Sequence, residues 1–445
     1  MKNVTYILLF FSMMLNAQKR IKHIIQRIDW QLYPRVNILE NKVTNLERRL
    51  DSLVTALNPI PDVKRPTQVN VTTIDWGKYE PITNVPNYLE SVVENEIKIT
   101  RISDYTAFGC DCSQLRHRYS KNRAWNADET LIMTSGSPAK LLDATTYEVV
   151  KELRVKAIWS NTNPELTYDV AGNATFVSKN VITEKTNTLL NLSHLYDALS
   201  FGNNEGNLSN DDRYAALIGY KSGNQTIMVY DLLDNKIVST KYYGKAPIDW
   251  IGISQLGNYV VVMFKNNGSG SWQGTKSFTR DLQNEVHLVN GHPHADIGID
   301  QEGKEVLVHY GNTGDSKYSL GYTNLKTGET KKLFYHTDAF GDRGLYGGHI
   351  STRNIDRPGW AYVSDQGHPT DVNKHEATRE MFAIKLDASG IIERFGKHHN
   401  KTINNLHDSQ GVVNKDGTKI LFATNFDNSN YLNKSYPIIC VAEKN

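Results

Sequence analysis

The stretch His294-Ala295-Asp296-Ile297-Gly298-Ile299, then Asp300-Gln301-Glu302-Gly303-Lys304, then Glu305-Val306-Leu307-Val308, decides how the chain folds. A short alternating run makes one strand, the Asp/Gly cluster makes a turn, and a more apolar run makes a second strand. The unit returns about every 45 residues, a spacing suited to blades of four short strands. Its turns fall at 125–129, 169–173, 210–212, 256–258, 301–304, 356–359 and 415–417. Later hairpins turn at Asp231-Leu232-Leu233-Asp234-Asn235, Asn324-Leu325-Lys326-Thr327-Gly328 and Asp387-Ala388-Ser389-Gly390. These units predict an all-β, seven-bladed β-propeller, and we assign the turns themselves no function.

The last unit stops after its third strand, around Ile438-Ile439-Cys440-Val441. An unclosed ring would leave a sheet edge open to other chains. Ile97-Lys98-Ile99-Thr100-Arg101-Ile102 is the available fourth strand, and it would bring Cys440 towards Cys110 or Cys112. Three cysteines in 445 residues are too few for a disulfide scaffold, but one clasp is expected in an oxidising compartment.

The N-terminal part reads differently. Residues 1–17 form a secretory signal: Lys2, an apolar run from Tyr6 to Leu15, and a cleavage point near Ala17. That run is too short to span a bilayer, and no cysteine follows it to carry a lipid anchor. A secreted or periplasmic protein is expected. Over residues 19–57, Val36, Leu39, Val43, Leu46, Leu50, Leu53 and Leu57 alternate steps of three and four, an a/d heptad stripe. A coiled-coil helix preceding the propeller is therefore expected, either forming a homo-oligomer or packing back against the blades. Residues 58–96 are Pro-spaced and linker-like, and residues 97–445 form the propeller. Net charge is +2, too balanced for nucleic acid to be a partner through bulk electrostatics.

First strands of propeller blades line the central channel, so residues at their starts meet at one mouth. Three successive units place His294, His349 and His407 there. Three imidazoles can hold a divalent metal such as Mn, Ca or Zn, with Asp296 and Gln410 as outer partners. Alternatively they bond to one another and to water. Elsewhere around the ring lie Arg116-His117-Arg118-Tyr119, Trp159, Asn203 to Glu205 and Trp250. Arg343 and Tyr346 lie in a Gly-rich loop before His349, and Arg353 follows it. Arginines suit carboxylate or sulfate, although each could equally pair with a nearby Asp. Tryptophans suit sugar faces, although packing between blades is the commoner use.

Histidine, tyrosine, arginine and a metal together suit β-elimination on a uronic-acid polysaccharide. Arg353 or a metal would neutralise the substrate carboxylate, His349 or His117 would take the C5 proton, and Tyr346 would protonate the leaving oxygen. Arg116, Arg118, Arg343, Trp159 and Trp250 would bind the sugar chain. Hydrolysis needs two opposed carboxylates, and no such pair is evident at the strand starts. There is also no Gly-x-Ser-x-Gly elbow.

On Arg116-His117-Arg118-Tyr119-Ser120, Gly291-His292-Pro293-His294 and Gly348-His349-Ile350-Ser351, the chain resembles the propeller polysaccharide lyases. These are the ulvan lyases and, for a histidine-held metal in the channel, oligogalacturonate lyase. The resemblance covers residues 97–445 and implies an exported lyase acting on an anionic polysaccharide or oligosaccharide. The competing expectation is a non-catalytic propeller that binds glycans or proteins, with the coiled coil supplying avidity.

Overall fold

In the computed structural model, each repeat becomes one antiparallel sheet, and the seven sheets form the blades of a propeller. The structure describes residues 63–445 apart from 75, 77–81, 83–84, 110–114, 136–137, 154–156, 266–269, 312–318, 336–347, 366–378, 401–407 and 427–437. The signal segment 1–17 and the heptad stripe of 19–57 lie outside these residues, as do Cys110, Cys112, Arg343, Tyr346 and His407.

Blade 5 shows the pattern: His294–Ile299, Glu305–Gly311, Ser319–Asn324 and Thr330–Tyr335 run side by side from inner to outer strand. Its first turn joins Ile299 to Glu305, which are directly paired. Blade 2 corrects one detail of the sequence reading. The 169–173 turn, counted as its first, joins Leu166–Ala171 to Thr175–Asn180 and is the second turn. The first turn lies between Trp159 and its partner Thr167. The first turn, Ser160-Asn161-Thr162-Asn163-Pro164-Glu165, has neither Asp nor Gly, so the Asp/Gly cluster of the second turn is counted in its place and the blade count is unchanged.

The ring closes as the incomplete last repeat requires. Val412–Val413, Lys419–Thr424 and Ile438–Lys444 take Ile97–Arg101 as a fourth strand, with Cys440 opposite Arg101 and Ala442 opposite Ile99. Within the Pro-spaced segment, Ser91–Glu94 then adds a strand to blade 7 and Gln68–Asn70 adds one to blade 6. Cys440 is a buried free thiol.

Alternation along each strand puts apolar side chains on both faces, so the core is the set of interfaces between blades. Val306, Val308 and Tyr310 of blade 5 pack on Ile350, Ala361, Val363 and Phe382 of blade 6. Ile439, Leu421 and Val441 of blade 7 pack on Ile132 and Leu142 of blade 1, which completes the circle. Fully burying each Val, Leu, Ile or Phe among these contributes about 1.5–3 kcal/mol. No helix among the described residues is long and apolar enough to cross a membrane.

Candidate active site at the channel mouth

His294 opens the inner strand of blade 5, and His349 is the second residue of that of blade 6. A Cβ at Gly348 would sit 2.3 Å from the Ser364 carbonyl oxygen in the next strand of blade 6 and 2.9 Å from the Tyr310 ring of blade 5, so only glycine fits there. The two imidazoles stack, with centroids 4.3 Å apart and planes inclined by 23°. The backbone carbonyl of Gly348 lies 2.8 Å from His294 Nδ1. A carbonyl only accepts, so Nδ1 carries the proton and Nε2 keeps its lone pair. Nδ1 of His349 is buried and without a hydrogen-bond partner among the described residues.

The segment before blade 1 lies against this pair. Tyr119 meets the His349 ring edge to face at 5.3 Å. His117 is fully buried and donates from Nε2 to the Gln410 carbonyl. Arg116 donates to the Asp408 carbonyl at 3.1 Å. Lys121 places its ammonium 4.0 Å from the Trp250 ring centroid and 5.4 Å from that of Tyr119. Its partner is the half-buried Glu205 carboxylate, at 2.6 Å.

Burial sets the protonation states. It pushes His349 well below the ordinary imidazole value, helped by His294, Arg116, Lys121 and His117 around it. Burial also lowers His294, and it takes His117 down to about 3 with help from Arg116. Burial, then the carboxylates of Glu205, Asp408 and Asp249, push the Tyr119 phenol well up. At neutral pH the mouth therefore holds unprotonated imidazoles, a protonated phenol and two cations.

Other expected site residues occupy different places. Arg353 is 4% exposed and grips Asp296 with two guanidinium nitrogens, at 2.9 and 3.2 Å, while also donating to the Ile297 carbonyl. Thr352 donates to the same Asp296 carboxylate from its backbone and its hydroxyl, both at 2.8 Å. This arginine ties blade 6 to blade 5 and faces no open space. Both tryptophans are buried as well: Trp159 donates its indole N–H to the Ala124 carbonyl at 2.9 Å, Trp250 to that of Glu205 at 3.2 Å. Neither offers a ring face to solvent. Arg118 leaves the mouth and lines a groove between blades 2 and 3.

Among the described residues, no group of three or more His, Cys, Asp or Glu side chains is arranged to hold a metal ion. The stacked geometry gives a reason: imidazole lone pairs lie in the ring planes, and nearly parallel rings cannot both aim theirs at one ion about 2.1 Å away. The pair as arranged does not fit a metal centre.

The sequence placed Tyr119 and Glu205 around the ring without a role, and it did not point to Lys121. The signal available was the spacing: Tyr119 and Lys121 follow His117 by two and four residues.

No protein-family model matches the chain, and no curated protein matches it either. Solved structures do. An oligogalacturonate lyase from Vibrio parahaemolyticus superposes with a TM-score of 0.55 at 12% identity, over 82% of this chain and 98% of that one. An oligogalacturonate lyase in complex with manganese gives 0.55 at 10% identity, over 86% and 98%. At these identities the likeness is one of fold: the chain has the propeller architecture of these lyases, as expected from its repeats.

Proposed function

We propose that this protein is exported through residues 1–17 and cleaves an anionic, uronic-acid-containing polysaccharide or oligosaccharide by β-elimination at the channel mouth. The observation that carries this reading is the close packing of neutral His294 and His349 with the protonated Tyr119, beside Arg116 and Lys121. An elimination needs a neutral base, a proton donor and positive charge near the carboxylate, and these groups supply all three.

In the proposed reaction, Nε2 of His294 takes the C5 proton, with His349 stacked beneath it to hold the ring. The C–H electron pair becomes the C4–C5 double bond. The C4–O bond breaks, its electrons go to the leaving oxygen, and the Tyr119 phenol protonates that oxygen. Lys121 and Arg116 offset the charge that builds on the carboxylate, with the substrate displacing Glu205 from the ammonium. Arg353, held by Asp296 between the blades, takes no part in this scheme. The manganese belongs to the neighbouring structure, and no step proposed here passes through a metal. Self-association through residues 19–57 is part of the same proposal.

The test is ultraviolet absorbance of the unsaturated uronate product on polygalacturonate, ulvan and alginate. A rise that His294→Ala and Tyr119→Phe abolish supports the reading. No rise on any of them, with glycan binding retained, sinks it in favour of a binding propeller. A second reading, hydrolysis, draws on Glu205, Asp249 and Asp408 around Tyr119. It would release reducing ends without that absorbance.

A further inference from the structure

Among the described residues, Trp76, Trp125, Trp159, Trp250 and Trp360 are buried, and Trp272 alone of the tryptophans is exposed, at 37%. Indole rings left in water are enriched where a partner binds. The place of this one in blade 4 suggests which partner. Blade 4 runs outward as Ile248–Ile253, Tyr259–Phe264, Thr275–Thr279 and Val286–Val289. Its inner strand brings Trp250 to the mouth, and Ile248 pairs with Phe264, so the second strand ends on the mouth face. Lys265 follows, donating its backbone N–H to the Pro247 carbonyl at 2.8 Å. The third strand starts on the same face: the Phe264 N–H donates to the Gly274 carbonyl at 2.9 Å, and Met263 pairs with Thr275. Trp272 lies two residues before Gly274, in the short 3-10 turn Gly270–Trp272. Adjacent strands are about 4.8 Å apart. Lys265 therefore stands one strand outward from Trp250, and Trp272 about two.

The cations on this face are free. Lys265 is exposed, and its ammonium has no ion-pair or hydrogen-bond partner among the described residues. The same holds for Lys245, two residues before Pro247. The nearby carboxylates are engaged elsewhere: Glu285 pairs with Lys276, and Asp249 acts on the Tyr119 phenol inside the mouth. A uronate unit has an apolar C–H face and a carboxylate. An exposed indole and an unpaired ammonium one strand apart complement these two features. We infer that the mouth face of blade 4 is an outer subsite, where Trp272 stacks on a sugar ring and Lys265 meets a uronate carboxylate. An anionic sugar chain leaving the mouth would then cross this blade. Its continuity with a cleaved unit rests on the lyase reading; binding at Trp272 and Lys265 does not.

Affinity electrophoresis through gels containing polygalacturonate, alginate or ulvan, with neutral galactan as control, measures binding whether or not the chain is cut. Tyr119→Phe protein serves as the parent, so that the gel is not digested. Trp272→Ala and Lys265→Gln should each weaken retardation by a polyuronate about three- to tenfold, and Trp272→Phe should restore most of it. Added salt should erase the contribution of Lys265 and spare that of Trp272. Lys265 is on the surface, so Lys265→Gln should keep Tm within about 1 °C of the parent and tests the subsite even if Trp272→Ala is less stable. With Tyr119 intact, the ratio of kcat/KM on polymer to that on disaccharide should fall about tenfold in Trp272→Ala, through KM on the polymer.

Retardation equal to the parent in both Trp272→Ala and Lys265→Gln, or no retardation of the parent by any polyuronate, overturns the subsite. Equal retardation by galactan overturns it too, since the assignment is to an anionic chain. If no polyuronate yields unsaturated product while both variants lose retardation, the lyase reading falls and the subsite stands. If a polyuronate is cleaved and both variants match wild type in retardation and in kcat/KM, the subsite falls and the lyase reading stands.

Discussion

Replacing Arg353 by Ala separates a structural arginine from a substrate-binding one. The guanidinium makes two bonds to Asp296 and one to the Ile297 carbonyl inside the blade 5–blade 6 interface, where both partners are buried. Removing one member of a buried pair leaves the other charge uncompensated and costs about 3–5 kcal/mol. The low end applies here, because Asp296 keeps the backbone and hydroxyl donors of Thr352. The unit from Lys64 to Asn445 spans roughly 380 residues. At about 2.1 cal/mol/K per residue its unfolding entropy is about 0.8 kcal/mol/K, so the low end, about 3 kcal/mol, should lower Tm by roughly 4 °C if the ring melts as one. Differential scanning calorimetry reads this, alongside turnover per folded molecule below the transition. The expected result is a lower Tm with kcat/KM within about threefold of wild type, since no transition-state interaction is lost. Replacing the pair together, Arg353→Met with Asp296→Asn, should recover much of the loss, because no charge is then left buried alone and the amide oxygen still accepts from Thr352. A Tm within about 1 °C of wild type combined with a loss of turnover would refute the reasoning and return Arg353 to the substrate.

Tyr119→Phe should lower kcat by roughly 10²–10⁴ with little change in KM, as expected for loss of a proton donor. Steady-state kinetics on the best polyuronate decides this, and unchanged kcat would remove the phenol from the mechanism. His117 and His398 are both held near a pKa of about 3 by burial, against 6.5 for free imidazole. Between those values the unfolded chain binds protons that the folded chain does not. Stability from these groups is therefore present above about pH 6.5 and is lost as pH falls towards 3. Urea midpoints at pH 7, 5.5 and 4.5 should fall in that order, more steeply than in His398→Gln. Cys440 is a free, fully buried thiol whose pKa burial raises. Iodoacetamide should leave it unlabelled in the native protein and label it in urea without reductant. Absence of label in urea would mean a disulfide.

The repeat was legible because each blade is local in sequence: adjacent strands share a short turn, so strand periodicity and Asp/Gly clusters report it directly. The closing strand was legible for a related reason, since a last unit lacking a strand obliges Ile97–Arg101 to return, and it pairs with Ile438–Lys444. The slip in blade 2 has a local cause too, as its first turn is Ser/Asn/Pro-rich and the Asp and Gly that mark other first turns stand in its second. The mouth was only partly legible. Strand starts pointed correctly to His294 and His349 as neighbours, but the same reasoning made Arg353 a substrate group, and only its contact with Asp296 across the blade interface places it otherwise.

What the sequence determined by itself is the number of blades, their order and the way the ring shuts, because these follow from patterns within about 45 residues. What only the tertiary structure decided is which side chains face the channel and which are spent between blades. That depends on contacts such as His117 with Gln410, 293 residues apart, and on burial that sets the charge of each group once the ring has closed. Chain-local patterns carry no record of either.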